Sequence, residues 1–159
     1  MNSSGGAGGP EATPAIRSSA TEKGGAKLQE FGPEIWIHDG GNVMGAMGFH
    51  YPTRMAIIRL QSGGLFIWSP TALDDELRSA VQGLGPVMVI VAPNTLHYSF
   101  IAQWQAAFPA AKTFGLPELK RTRPELHLDA ALDAASPDEW APEIDQVQFP
   151  PTSVMTEMV

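Results

Sequence analysis

The stretch VMVIVAPNTLHYSFIAQW, Val87–Trp104, contains the pattern that decides the fold. Its first five residues are apolar and, apart from Met88, β-branched, which is typical of a central strand in a parallel sheet. The apolar residues after the polar turn recur at helical spacing until Pro109. We therefore predict a buried strand, a short loop and a helix that Asn94 or Thr95 caps.

The residues before this unit predict two strands and another helix. TRMAIIRLQSGGLFIWSP, residues 53–70, is typical of two strands joined by a turn at Ser62-Gly63-Gly64. Met55, Ile57 and Leu60 are expected to face one way. Residues 69–85 predict a helix whose N-cap is Ser69 or Thr71 and which ends at a glycine. Their apolar residues form a helical stripe.

The flanking regions are less regular. Ile35 and Ile37 alternate with Glu34, Trp36 and His38, and this period of two predicts a strand. Asp39 is expected to stabilise a turn after that strand. GGNVMGAMGFHYP, residues 40–52, predicts an open glycine-rich loop. AAKTFG, residues 110–115, predicts the next parallel strand, and residues 145–149 predict a late one. The whole order is that of an α/β fold.

Composition sets limits on domain number, partners and location. The chain has 159 residues, which is enough for one domain with a core. Residues 1–27 are rich in small and polar side chains and predict a flexible tail, whereas 28–159 are expected to form the domain. The formal net charge of -7 argues against nucleic-acid binding. Apolar runs are too short to cross a membrane, no signal peptide is recognisable, and cysteine is absent, so we expect a cytoplasmic protein.

The loop after the central strand supplies the first candidate site residues, Asn94 and His97. Ligand sites in α/β proteins lie at the carboxyl ends of parallel strands, where this loop is expected. A metal site needs several converging ligands, and this loop has one histidine. The alternative is structural, with Asn94 as a helix cap and His97 as a packing residue.

Two other residues are candidates for binding an anionic substrate, Arg54 and His50. Arg54 is either an anion clamp or an ion-pair partner at a sheet edge. A serine-hydrolase site is not predicted, because Pro70 follows Ser69 and no G-x-S-x-G elbow is present. No phosphate-binding loop of the G-x-x-x-x-G-K-[ST] type occurs either.

Several strings resemble a family of known fold. PTRM with IRL, GGLFIWSP, VAPNTLH and the later Trp104, Phe108 and Pro109 resemble an uncharacterised domain family of the metallo-β-lactamase-like superfamily. The resemblance covers about residues 28–159. It implies an αββα sandwich, of which this chain would form mainly the N-terminal half and would be truncated at its C-terminus.

The resemblance also defines what differs at the site. Active members of the superfamily carry H-x-H-x-D-H in the corresponding loop and hold two metal ions there, whereas this chain has PNTLHYS. Ser69 stands about where the superfamily has a metal-orienting aspartate. These departures argue against a dinuclear zinc site and leave the cofactor open. An incomplete sandwich would expose an apolar face, through which we expect marginal stability or self-association.

Two functions follow as hypotheses. In the first, the chain is a degenerate hydrolase in which His97 acts as base or single metal ligand, Asn94 polarises the substrate, and Arg54 or His50 orients it. In the second, it is a non-catalytic binding or scaffold module for a small molecule or a protein.

Overall fold

The computed structural model of the chain describes residues 28–44, 48, 50–149 and 157–158. The predicted tail, 1–27, lies outside them. The elements of the described part, in chain order, are β1 Gln29–Gly32, β2 Ile35–Met44, β3 His50–Arg59, β4 Leu65–Trp68, α1 Asp75–Leu84, β5 Val87–Ala92, α2 Ile101–Ala107, β6 Lys112–Gly115, α3 Pro117–Thr122, β7 Ala130–Ala131, β8 Gln148–Phe149 and β9 Glu157–Met158.

Strands β1 to β7 lie side by side in chain order in one mixed sheet. The first four strands pair antiparallel, and β4 to β7 pair parallel. The change of direction falls at β4, where α1 carries the chain to the parallel strand β5. The sequence predicted β5, its parallel neighbour β6 and the hairpin of β3 and β4, and all three predictions are confirmed.

Each face of this sheet carries its own apolar cluster. The first face packs against α1 and α2, and its members include Ile57, Ile67, Ile90 and Trp104. The second face carries a smaller cluster around Trp140. Strands β4 and β5 are buried on both faces because their side chains alternate between the two clusters. Burial on both sides explains their continuous apolar runs.

Helix α1 begins later than the sequence predicted. Its N-cap is Asp74, whose carboxylate accepts a hydrogen bond of 2.7 Å from the backbone N–H of Leu77. Ser69 and Thr71 lie in the connection before the helix, so their predicted capping role is wrong. Asp74 stands in a run of acidic residues, where the sequence pattern did not separate a capping residue from first-turn residues.

The predicted glycine-rich loop is also wrong over most of its length. Strands β2 and β3 pair as far as Met44 and His50, with an irregularity between Asp39 and Asn42. Gly40 lies within β2 at a position where only glycine fits, because a Cβ atom there would lie 2.3 Å from the Thr53 hydroxyl oxygen. Here glycine indicates a close approach rather than an open loop.

Two smaller predictions are corrected. Leu60 belongs to the cluster of the second face, whereas Met55 and Ile57 belong to the first. The late strand is shorter than predicted, because in the 145–149 stretch only β8 is a strand. In the described part of the chain, no helix is long and apolar enough to cross a bilayer.

Candidate functional site

A small pocket lies at the carboxyl ends of β4 and β5, where the parallel half of the sheet begins. It has a volume of about 260 Å³. We call it the His97 pocket, and the residues that line it are Ile37, Arg54, Ala56, Trp68, Ser69 and His97. The sequence predicted a site at this end of the sheet because parallel strands direct their following loops there.

Strand register builds the floor of the His97 pocket. Ile37 on β2 lies opposite Ala56 on β3, and Ala56 lies opposite Trp68 on β4. Directly opposed residues point to the same face of a sheet, so these three side chains form a row across it. Arg54 lies two residues before Ala56 and therefore shares that face. The pocket thus has an apolar floor with a guanidinium group at one end.

Ser69 directly follows strand β4 and has an unusual backbone conformation. Its φ angle is 55°, in the left-handed region that residues other than glycine rarely adopt. Its backbone N–H still donates a 2.9 Å hydrogen bond to the Val91 carbonyl of β5, and the residue is 5% exposed. Such strain persists only where the surrounding structure holds it, and it concentrates at functional sites.

Asn94 holds the turn that contains His97. The Asn94 side-chain oxygen accepts hydrogen bonds of 2.9 Å from the backbone N–H groups of both Leu96 and His97. Its amide nitrogen lies 3.5 Å from the His97 Nδ1 atom. The side chain of Asn94 is buried, so this geometry orients the imidazole as well as the turn.

The prediction that Asn94 or Thr95 caps the second helix is therefore wrong. Helix α2 begins only at Ile101, and its N-cap, Phe100, makes no side-chain hydrogen bond. The turn between Asn94 and the helix lengthens the loop and brings His97 to the pocket. In sequence, an N-cap asparagine and an asparagine that closes its own turn look alike.

Arg54 forms an ion pair with Asp39 across the β2–β3 pair. Its Nε atom lies 2.5 Å from Asp39 Oδ1, and its second terminal nitrogen lies 3.0 Å from Oδ2. The hydrogen bond from Arg54 lowers the pKa of Asp39, and the bond to Asp39 raises the pKa of Arg54. Asp39 thus lies within a strand, and the predicted Asx turn is wrong. Arg54 both pairs with a carboxylate and lines the pocket.

His50 lies elsewhere on the sheet. It is the first residue of β3, opposite Met44, and it is exposed. It is not among the residues that line the His97 pocket. Of the candidate residues, the structure therefore brings together Arg54, Asn94 and His97 and leaves His50 apart.

A chain of contacts on the first face supports the connection that follows Ser69. His38 Nδ1 lies 2.8 Å from the Thr71 hydroxyl oxygen, and the Thr71 carbonyl accepts a 2.8 Å bond from Trp104 Nε1. All three residues are buried. The connection from β4 to α1 is thus fixed to β2 on one side and to α2 on the other, which stabilises the strained Ser69.

Acidification is expected to weaken the fold through His38. Burial lowers the pKa of His38 below its ordinary value of 6.5, more than the negative charge of Asp74 raises it. At pH values between the lowered pKa of His38 in the folded chain and its ordinary value of 6.5, the unfolded chain binds a proton more readily than the folded one. The free energy of unfolding should therefore fall as the pH drops below about 6.5. Urea unfolding between about pH 5.5 and pH 8 measures this slope.

The variant His38→Asn should flatten that slope, because it removes the buried titrating group. A free energy of unfolding that rises on acidification through this range would contradict the assignment.

Two groups of site residues were not predicted from the sequence. Ile37, Ala56 and Trp68 form the pocket floor, and only strand register brings them together. His38 and Thr71 support the site from beneath although 33 residues separate them. The sequence did contain a signal for Trp68, because it is an aromatic residue at the end of an apolar strand, directly before Ser69.

Comparison with solved structures shows the fold. The DIM-1 metallo-β-lactamase exposed to ceftazidime matches with a TM-score of 0.53 and 12% identity, over 70% of this chain and 53% of that one. The metallo-β-lactamase from Hirschia baltica matches with a TM-score of 0.52 and 14% identity, over 73% and 57%. The predicted metallo-β-lactamase-like α/β fold is confirmed. The chain spans about half the length of these structures. No curated protein matches its sequence.

The residues around the pocket do not fit the dinuclear zinc site of that fold. Among the described residues, no group of three or more histidine, aspartate or glutamate side chains converges. The pocket has one imidazole, and its charged wall is the cationic Arg54, which engages the nearby carboxylate of Asp39.

The strings that carried the resemblance, from the β3 strand to the end of β6, lie within one matched region. A family model with the description "Domain of unknown function (DUF4336)" matches residues 33–119, more than half of the chain, and the chain therefore belongs to this family.

Proposed function

We propose that this chain is a degenerate metallo-β-lactamase-like domain that binds a small organic molecule in the His97 pocket. The observation that carries the proposal is the convergence of an apolar floor with three polar groups, those of Arg54, Ser69 and His97. Small-molecule sites combine apolar walls with a few placed polar groups in this way. We favour binding over catalysis because, among the residues that the structure describes, no group of three or more histidine, aspartate or glutamate side chains converges.

The polar groups suggest the chemistry of the ligand. The Arg54 guanidinium carries more N–H donors than the two that Asp39 accepts, and so can bind a second acceptor. The indole of Trp68 offers a flat apolar surface. A ligand with a flat apolar part against Trp68 and a carboxylate near Arg54 and His97 satisfies both. The expected location of the protein, from sequence alone, is the cytoplasm.

Benzoate is the simplest probe with this chemistry. Its addition is expected to shift the backbone amide signals of Ser69 and His97 in a ¹⁵N spectrum, with a Kd on the order of 1 mM. His97→Ala should weaken benzoate binding by about tenfold or more, because a hydrogen bond to a charged group contributes about 1.5–3 kcal/mol. His127→Ala is the matched control, because His127 is exposed and lies outside the pocket.

His50→Ala tests the remaining candidate and should leave benzoate binding unchanged, since His50 does not line the pocket. The proposal is wrong if benzoate shifts no signal around the pocket, or if His97→Ala and His127→Ala bind it equally well. Such a result would favour the scaffold alternative, in which His97 only packs.

Hydrolysis is the second candidate, and the strained Ser69 favours it. Ser69 has a left-handed φ angle and lines the same pocket as His97, and backbone strain of this kind concentrates at functional sites. Zinc content of the purified protein and turnover of 4-nitrophenyl acetate test this function together. Zinc at about one ion per chain, or ester turnover, that is lost in His97→Ala but kept in His127→Ala would favour the hydrolase.

A further inference from the structure

A second pocket lies beside the His97 pocket on the second face of the sheet. Its volume is about 360 Å³, within the range of small-molecule sites. We call it the aromatic pocket, and its lining residues are Ala56, Ile58, Phe66, Trp68, Trp140, Ile144, Asp145 and Gln146. Ala56 and Trp68 line both pockets, so the indole of Trp68 stands between them.

Three aromatic rings form the inner part of the aromatic pocket. Phe66 and Trp68 are stacked with their ring centroids 6.1 Å apart. Trp140 meets Phe66 edge to face at 5.1 Å and Phe114 at 4.8 Å. These mutual contacts fix the ring of Trp140, which is 2% exposed. A ligand would therefore enter a formed site, with little ordering of side chains to oppose binding.

The outer wall, residues 137–146, is fixed to the rest of the domain at two points. Lys112 forms an ion pair of 2.6 Å with Glu139. The Glu143 carboxylate accepts a 2.7 Å hydrogen bond from the backbone N–H of Gln61, in the β3–β4 turn. A further bond closes the segment on itself, since Gln146 donates to the carbonyl of Ala135 at 2.7 Å. The wall is thus part of the domain, and the pocket is a built feature of it.

The aromatic pocket has an acidic lining residue, whereas the His97 pocket is lined by Arg54. Asp145 is the single ionisable side chain among the lining residues in the part of the chain that the structure describes. Aromatic rings carry negative potential on their faces and attract cations. Rings and carboxylate together favour a positively charged ligand, and the net charge of -7 adds to that attraction.

We propose that the aromatic pocket binds a small organic cation, an ammonium group attached to a flat or apolar body. The apolar body lies against Trp140 and Trp68, and the ammonium group lies at the rim beside Asp145. This site is separate from the one in the proposed function and takes a ligand of the opposite charge.

Three probes of the same size and different charge test the class of ligand: 2-phenylethylamine, 2-phenylethanol and 3-phenylpropionate. The indole N–H signals of the four tryptophans report on both faces of the sheet. 2-Phenylethylamine should shift the Trp140 signal with a Kd on the order of 1 mM. Trp36 and Trp104 pack with the cluster of the first face and should not move. The anionic probe should bind more weakly, with a Kd from the Trp140 signal at least about fivefold higher.

Asp145→Asn separates charge from shape. This exposed substitution should weaken binding of the amine by up to about fivefold and leave the alcohol unchanged. Asp138→Asn, an exposed residue of the same segment outside the pocket lining, is the matched control. His97→Ala should also leave the Trp140 shift unchanged, whether or not the His97 pocket binds benzoate.

Each other result overturns the proposal. A Trp140 signal that no probe moves rules out a ligand site there, and equal shifts from amine and carboxylate rule out a cation site. A Trp140 shift that His97→Ala abolishes would show that the two pockets are one site.

Discussion

Trp104→Ala is expected to lower the free energy of unfolding by about 3–5 kcal/mol, the usual cost of removing a buried tryptophan. Trp104 is fully buried between α2 and the sheet, and its ring lies 5.4 Å from that of Phe108. Its Nε1 atom also donates the bond that holds the carbonyl of Thr71. The substitution therefore leaves a cavity and removes the partner of a buried carbonyl. Urea unfolding followed by circular dichroism measures the loss.

Trp104→Phe separates the two effects. The six-membered ring fills part of the space and leaves a smaller cavity, so this variant should lose less than Trp104→Ala, with about 1–3 kcal/mol of its loss due to the unsatisfied Thr71 carbonyl. Because Thr71 belongs to the connection that follows Ser69, the amide signal of Ser69 should shift in this variant. A loss below about 1 kcal/mol in Trp104→Ala would contradict the tight packing on which the prediction rests.

The central part of the fold could be predicted because its signals are local. From Val89 to Ala92, strand β5 is buried on both faces, and burial on both faces requires a continuous run of apolar residues. The β3–β4 turn is indicated by Gly63, whose φ angle of 82° suits glycine. In both cases a few neighbouring residues carry the information, so no knowledge of distant contacts is needed.

The site could be predicted only in part, because most of it depends on distant contacts. The loop after a parallel strand indicated Asn94 and His97, since topology places such loops at one edge. The floor of the pocket instead depends on the pairing of three strands, which brings Ile37 opposite Ala56 and Ala56 opposite Trp68. A shift of one residue would turn all of these side chains to the other face. Periodicity alone does not determine that register.

The two pockets give Trp68 a particular position in the fold. Its indole lines both, with Arg54 on one side and Asp145 on the other. The groups on the two sides have opposite charge, so the two sites favour different ligands although they share a wall. Occupation of one pocket should therefore alter the Trp68 indole signal without requiring occupation of the other, which is why Trp140 and the Ser69 amide serve as the separate reporters.

Two glycines at the end of α1 are expected to respond in opposite ways to alanine. Gly85→Ala should lower the free energy of unfolding by about 1–3 kcal/mol, the cost of forcing extra atoms into a packed position. A Cβ atom on Gly85 would lie 2.7 Å from the backbone oxygen of Gly63, and the φ angle of Gly85 is 156°. The atom it meets belongs to the backbone of the β3–β4 turn, which cannot move aside as a flexible side chain would.

Gly83→Ala is the matched control two residues earlier. Gly83 lies inside α1, and a Cβ atom there would have no neighbour within 4 Å. Alanine should therefore raise the free energy of unfolding by about 0.4–1 kcal/mol, because it restricts the unfolded chain and favours the helix. Both values come from urea unfolding of the two variants beside the unchanged protein. If Gly85→Ala is as stable as Gly83→Ala, the close approach of the α1 end to the β3–β4 turn is refuted.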